Sequence, residues 1–233
     1  MQQLYGDKLG ASDGEIGHVK DFYFNDQNWA IRYVVADTGS WLAARQVLLS
    51  PHSLGSLDQA VKVLRVQLTR KQIEDSPSME AHKPVSRQYE EEYYRYYGWP
   101  CYWQGDGLWG MSGFPIAPLP TDVPPDKPPF ARDPQPEDSD AHLRSAQAVN
   151  GYHIKATDGT IGHICDFMMD AQSWAIRQLV VKTGHRFSGK EVLVSTKNVS
   201  RISYEESTVF VDLTSEAVEQ GAGHFMAPVG AVD

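Results

Sequence analysis

Leu64, Val66 and Leu68 occupy alternate positions in the first half of the chain, and Val209, Val211 and Leu213 do the same near its end. Alternation with period two predicts strands with one buried face. The opposite faces are mixed: Val63, Arg65 and Gln67 in one, Thr208, Phe210 and Asp212 in the other. Apolar alternation also flanks Asp13-Gly14 and Asp158-Gly159, with LGAS or IKAT before and Glu15–Asn25 or Thr160–Asp170 after. Asp-Gly between such runs predicts a tight hairpin, because both central residues of the favoured turn take positive φ. NDQN (25–28) or DAQS (170–173) then leads into WAIRYVVAD or WAIRQLVVK, and Thr-Gly turns the chain into RQVLLS or KEVLVS. Thr69 and Thr214 stand as N-caps before RKQIED and SEAVEQ, which predicts a short helix closing each run of strands.

These parallels are one repeat. Sliding the chain by 145 lays residues 6–75 on 151–220 without a gap, and 24 of the 70 positions are identical. Average composition would give roughly one in fifteen. Gly6 falls on Gly151, Ile16-Gly17-His18 on Ile161-Gly162-His163, Thr38-Gly39 on Thr183-Gly184, and Val47-Leu48 on Val192-Leu193. Five or six short strands with tight turns in each copy predict an all-β protein of two small closed barrels. The expected domains are 1–76 and 148–221, with a connector at 77–147 and a tail at 222–233.

The connector changes character along its length. VSRQYEEEYYRYYGW opens with a capping Ser86 and ends at Gly98, predicting a helix over about 86–97. Tyr89, Tyr93, Tyr96 and Tyr97 make its expected apolar stripe, with Glu90, Glu91, Glu92 and Arg95 off it. Nine of the 14 prolines lie within 115–136, so residues 115–140 are expected to be extended, since proline neither continues a helix nor donates to a ladder.

Composition narrows the function. Net charge is −9, which disfavours a phosphate backbone as partner, so no nucleic acid is expected. No run of about 18 apolar residues exists to span a membrane, and MQQLYGDKLG lacks the apolar core of a signal peptide. Cys101 and Cys165 sit in unrelated contexts, so a reducing cytoplasmic location is expected, with a peripheral position at the inner membrane as the variant.

The run DG-x-IG-x-V-x-DF, then W-x-IR-x-VV, then TG, then VLLSP resembles the PRC-barrel family, which is named for the cytoplasmic domain of the photosynthetic reaction centre H subunit. PVSRQYEEEYYRYYGWP is similar to the connector of bacterial proteins that carry two such domains. The resemblance implies two six-stranded barrels, each with a terminal helix, and no enzymatic activity. It brings no catalytic residues, cofactor or metal.

The individual residues lead to the same expectation. Asp13 and Asp158 read as turn residues. His18 is expected to share a face with Lys20, and His163 with Cys165. His163 and Cys165 are the only metal candidates, and a site needs three or four ligands. Asp21 with Arg32, and Asp166 with Arg177, read as cross-strand ion pairs fixing register. Trp29 and Trp174 open strands and pack inward. Tyr89, Tyr93, Tyr96, Tyr97, Trp99 and Trp103 are the candidate partner-binding set, against the alternative that this segment packs on the chain's own strands.

The reading that follows is a non-enzymatic interaction or scaffolding module with an unknown protein partner, its two barrels packed as an internal pseudo-dimer. One alternative is an accessory protein docked on photosynthetic or other membrane electron-transport complexes, by the resemblance. The other is a regulator that binds a small ligand or a metal.

Overall fold

A computed structural model of the chain describes residues 1–42, 45–58, 62–77, 85–116, 142–184 and 189–221. Most of the proline-rich stretch and the tail lie outside the described residues. The chain divides into two units. The first takes residues 3–145 together with 171–174, and the second takes 146–170, residues from 175 onward, and Met1 with Gln2.

The first unit is built from β1 (Lys8–Ala11), β2 (Gly14–Asn25), β3 (Ile31–Asp37), β4 (Gln46–Leu49), β5 (Leu54–Asp58), β6 (Val63–Val66), α1 (Arg70–Glu74), α2 (Arg87–Tyr97) and β7 (Leu143–Ser145). The second is built from α3 (Ala146–Val149), β8 (His153–Ala156), β9 (Gly159–Asp170), β10 (Ala175–Thr183), β11 (Glu191–Ser195), β12 (Val199–Ser203), β13 (Thr208–Val211) and α4 (Ser215–Gly221). The sheets run β4-β3-β2-β1-β6-β5 and β11-β10-β9-β8-β13-β12, the same order in equivalent strands. Pairing is antiparallel except for β1 with β6 and β8 with β13, which are parallel. β7 adds a seventh strand to the first sheet, setting Tyr23 opposite Ser145.

The repeated Ile-Gly has a physical reason. A Cβ on Gly17 would lie 2.0 Å from the Asp37 carbonyl oxygen, and one on Gly162 would lie 2.1 Å from that of Lys182. Only glycine lets the neighbouring strand approach so closely.

The Asp-Gly turns differ from expectation. The strands end at Ala11 and Ala156, and the loops are Ser12-Asp13 and Thr157-Asp158. Neither aspartate has positive φ, which among described non-glycine residues belongs to Trp29, Lys62, Trp174 and Ser207. Each carboxylate reaches a helix start instead: Asp13 Oδ1 accepts from Arg70 N at 2.7 Å, and Asp158 Oδ1 from Ser215 N at 2.8 Å. The side chain thus satisfies a backbone donor left without a partner at the helix end.

Trp29 and Trp174 do not open strands. Both take left-handed φ, 61° and 54°, and close the turn before the strand. Their rings are buried, and Trp29 stacks on Phe24 with centroids 5.4 Å apart. Thr69 caps α1 with a full capping box to Gln72, and Thr214 Oγ1 accepts from Ala217 N at 3.2 Å.

Candidate functional site

Among the described residues, the densest chemistry lies where the aromatic segment meets β3 and the end of β4. Ser86 Oγ accepts from Tyr89 N at 3.2 Å to start α2, and Gly98 ends it at φ 69°. The stripe at 89, 93, 96 and 97 is buried in part: Tyr93 is sealed, Tyr89 and Tyr97 are half-buried, and Tyr96 is 41% exposed. The face turned inward also takes Glu90 and Tyr94, both buried. The buried set runs i, i+3, i+4, i+7 against i, i+4, i+7, i+8 for the expected stripe, so a glutamate stands at its head.

Burying that glutamate requires partners, and Tyr33, Tyr102 and Arg87 are among them. Tyr33 Oη donates to Glu90 Oε1 at 2.7 Å, Tyr102 Oη to the same oxygen at 2.8 Å, and Arg87 Nη1 to Oε2 at 2.9 Å. Arg32 lies beside this group, its guanidinium 3.8 Å from the Tyr102 ring centroid and 4.8 Å from that of Trp109. Its Nη1 donates to the Leu108 carbonyl at 2.7 Å. Ring faces and a carbonyl thus take the place of water around a buried cation.

A second layer reaches β4. Tyr93 Oη donates to Leu48 O at 2.8 Å and accepts from Ser50 N at 3.1 Å. Ser50 Oγ lies 3.0 Å from His52 Nδ1. The imidazole stacks on Trp99 at 5.6 Å and meets Tyr94 and Trp109 edge-on. Its Nε2 is buried without a hydrogen-bond partner. Burial, and then the charge of Arg32, push its pKa down to about 4, so the ring is neutral at pH 7. Burial likewise pushes the phenols of Tyr33 and Tyr93 well above their ordinary value and that of Tyr97 to about 12. Each large ring sealed here contributes about 1.5–3 kcal/mol.

The candidate partner-binding set is therefore divided. Tyr93 and Trp99 are sealed inside. Tyr89 donates to Pro77 O at 3.2 Å and Tyr96 to Gln72 O at 2.9 Å, both within the first unit. Trp103 lies half-exposed under the Arg87 guanidinium, 4.3 Å from its ring centroid.

The expected ion pair of Asp21 with Arg32 is replaced by other partners. Register sets Asp21 opposite Val35, and Arg32 falls at a bulge where β3 has one residue more than β2. Asp21 accepts instead from Ser145 Oγ at 2.5 Å and from Phe22 N at 2.7 Å. In the second unit Asp166 lies opposite Val180 and binds the Met1 ammonium at 3.1 Å. Arg177, also at a bulge, meets Asp170 at 3.4 Å.

His18 and His163 are both exposed. His163 faces His153 across the ladder, and Cys165 Sγ approaches Val180 O at 3.4 Å. Among the described residues no three His, Cys, Asp or Glu side chains are grouped to hold a metal, and no helix is long and apolar enough to cross a membrane.

Glu90, Arg87, Tyr94, Tyr102, Trp109, Ser50 and His52 carry the cluster without having been singled out by sequence. A usable signal lay in the differences between copies. Tyr23, Tyr33 and His52 stand where the second copy has Met168, Gln178 and Lys197.

The geometry thus defines a pair of equivalent small β units, one of which carries a fixed aromatic and ionic cover. Residues 152–218, in the second unit, match the family model of the PRC-barrel domain. No curated protein matches the chain.

Proposed function

We propose that the chain is a non-enzymatic protein-interaction module of two PRC-type barrels, the first covered by its own aromatic segment and the second open to a partner. The match at 152–218 supports the second barrel, and 24 identities in 70 positions with a common strand order support the first. Closure of each sheet is favoured by the parallel pairing of its first strand with a late one and by the bulges that bend β2 and β9.

One observation carries the functional reading. The acid at the centre of the cluster is held on both oxygens, Glu90 taking Tyr33, Tyr102 and Arg87 at 2.7–2.9 Å. Groups so engaged make a rigid support rather than a reaction centre, and the chemistry left for recognition lies on the outer surface. Cross-linking in cells that express the chain, read by mass spectrometry, is expected to join Lys182, Lys190 or Lys197 to one recurrent other protein. Links confined to the chain itself would overturn the reading.

A further inference from the structure

Equivalent strands in the two units meet different surroundings. In β3 every residue from Ile31 to Ala36 is buried, which means that both faces of the strand are covered. In β10 the pattern breaks: Ala175 and Ile176 are buried, Arg177 is exposed and Gln178 half-buried. Register puts Met168, Gln178 and Ser195 in one row across β9, β10 and β11. The matching positions in the first unit are Tyr23, Tyr33 and Ser50, the row to which Glu90 and Tyr93 bond. In the second unit Met168 is 46% exposed, Ser195 half-buried and Lys197 exposed.

We propose that this face, Met168, Gln178 and Ser195 flanked by Arg177 and Lys197, docks an amphipathic helix of a protein partner that presents aromatic rings and one acidic side chain. The inference rests on the interaction-module reading and adds the chemistry of the partner. The first copy shows which cover this surface accepts: a helix with Glu90, Tyr93, Tyr94 and Tyr97 on one face. Charge agrees. Arg177 and Lys197 stand where the first unit has Arg32 and His52, and a carboxylate seated as Glu90 is would lie against this basic edge. Asp170 meets Arg177 at 3.4 Å with the two side chains 36% and 58% exposed. A pair so wetted holds its cation weakly against an incoming acid that excludes water. Met168 supplies a flexible apolar contact that adapts to ring faces.

The probe is a synthetic peptide of residues 85–103 of this chain, titrated into the full chain labelled with 13C at the methionine methyls. The Met168 methyl signal is expected to shift saturably while that of Met111 stays in place. Arg177→Glu combined with Lys197→Glu should weaken binding by about tenfold, and a Glu90→Lys peptide should recover affinity on that double variant. Both substituted side chains are exposed, so unchanged methyl spectra will show that the fold is kept. An unmoved Met168 signal, shifts at Met111 instead, or affinity indifferent to the charge reversals would each overturn the proposal. A cross-linked partner whose links survive the double variant would overturn this docking face while leaving the interaction-module reading intact. Absence of both peptide binding and cross-linked partner would overturn the two together.

Discussion

Arg32 and Arg177 occupy the same place in the same tetrapeptide, Trp-Ala-Ile-Arg, at the same bulge of equivalent sheets. One is 1% exposed, bonded to Leu108 and flanked by two aromatic rings. The other keeps 58% of its side chain in water beside Asp170. The motif sets the backbone, and a segment remote in sequence decides whether the side chain is a structural cation or a surface one. A short motif is thus a reliable guide to local conformation and a poor one to environment.

The sharpest break of this comparison is Glu90→Ala. It leaves the hydroxyls of Tyr33 and Tyr102 and the Arg87 guanidinium without their shared acceptor, and should cost the first unit about 3–5 kcal/mol. Asp170→Ala, removing the acid beside Arg177, should cost less than about 1 kcal/mol. Hydrogen exchange at β3 and β10 amides in increasing urea reads the two units separately. Equal losses in both would refute the asymmetry.

Acid should separate the units next. The His52 pKa is lowered from 6.5 to about 4 in the folded chain. The unfolded chain therefore takes up the proton first, and stability falls as pH drops from about 6.5 to about 4. The loss reaches about 3 kcal/mol and then levels off. The difference between wild type and His52→Gln across that window isolates the effect.

Arg32→Ala should cost about 2–3 kcal/mol through the lost ring contacts and the bond to Leu108. Arg177→Ala should stay below about 1 kcal/mol in the same urea measurement. The smallest contrast concerns the caps. Thr69→Ala should lose about 1 kcal/mol because it breaks a reciprocal capping box, and Thr214→Ala somewhat less, since Ala217 offers no return bond.

The strands, their turns and the ends of α2 were legible because their signals are local: alternation, Thr-Gly, and Ser86 and Gly98 flanking an aromatic run. The buried face of α2 was not. Five tyrosines lie within eleven residues, so a stripe can be drawn at more than one angle, and a glutamate reads as surface until Tyr33 and Tyr102 are known to meet it. The Asp21–Arg32 pair failed as an expectation because the two recur on neighbouring strands without being opposite: the register sets Asp21 against Val35, three residues along from Arg32. His52 follows a proline and carries no local signal of its burial. Trp99 and Trp109, which seal it, lie 47 and 57 positions further along. The aspartates of the two Asp-Gly pairs do lie in turns, and what the local signal did not carry is that their carboxylates also hold helix starts 57 residues away.

The stacked pair of Tyr97 and Trp99 has an optical consequence. Their centroids are 4.4 Å apart with planes 12° from parallel, and Tyr93, Tyr94, Tyr102 and Trp103 crowd close by. At such separations an excited phenol hands its energy to the indole before it can emit. The fixed mutual tilt of the rings also gives their transitions a strong rotational signature in the near ultraviolet. The native chain should therefore emit as tryptophan even when tyrosine is excited. The return of tyrosine emission, together with the fading of near-ultraviolet ellipticity, then serves as a built-in gauge of the aromatic cover lifting away.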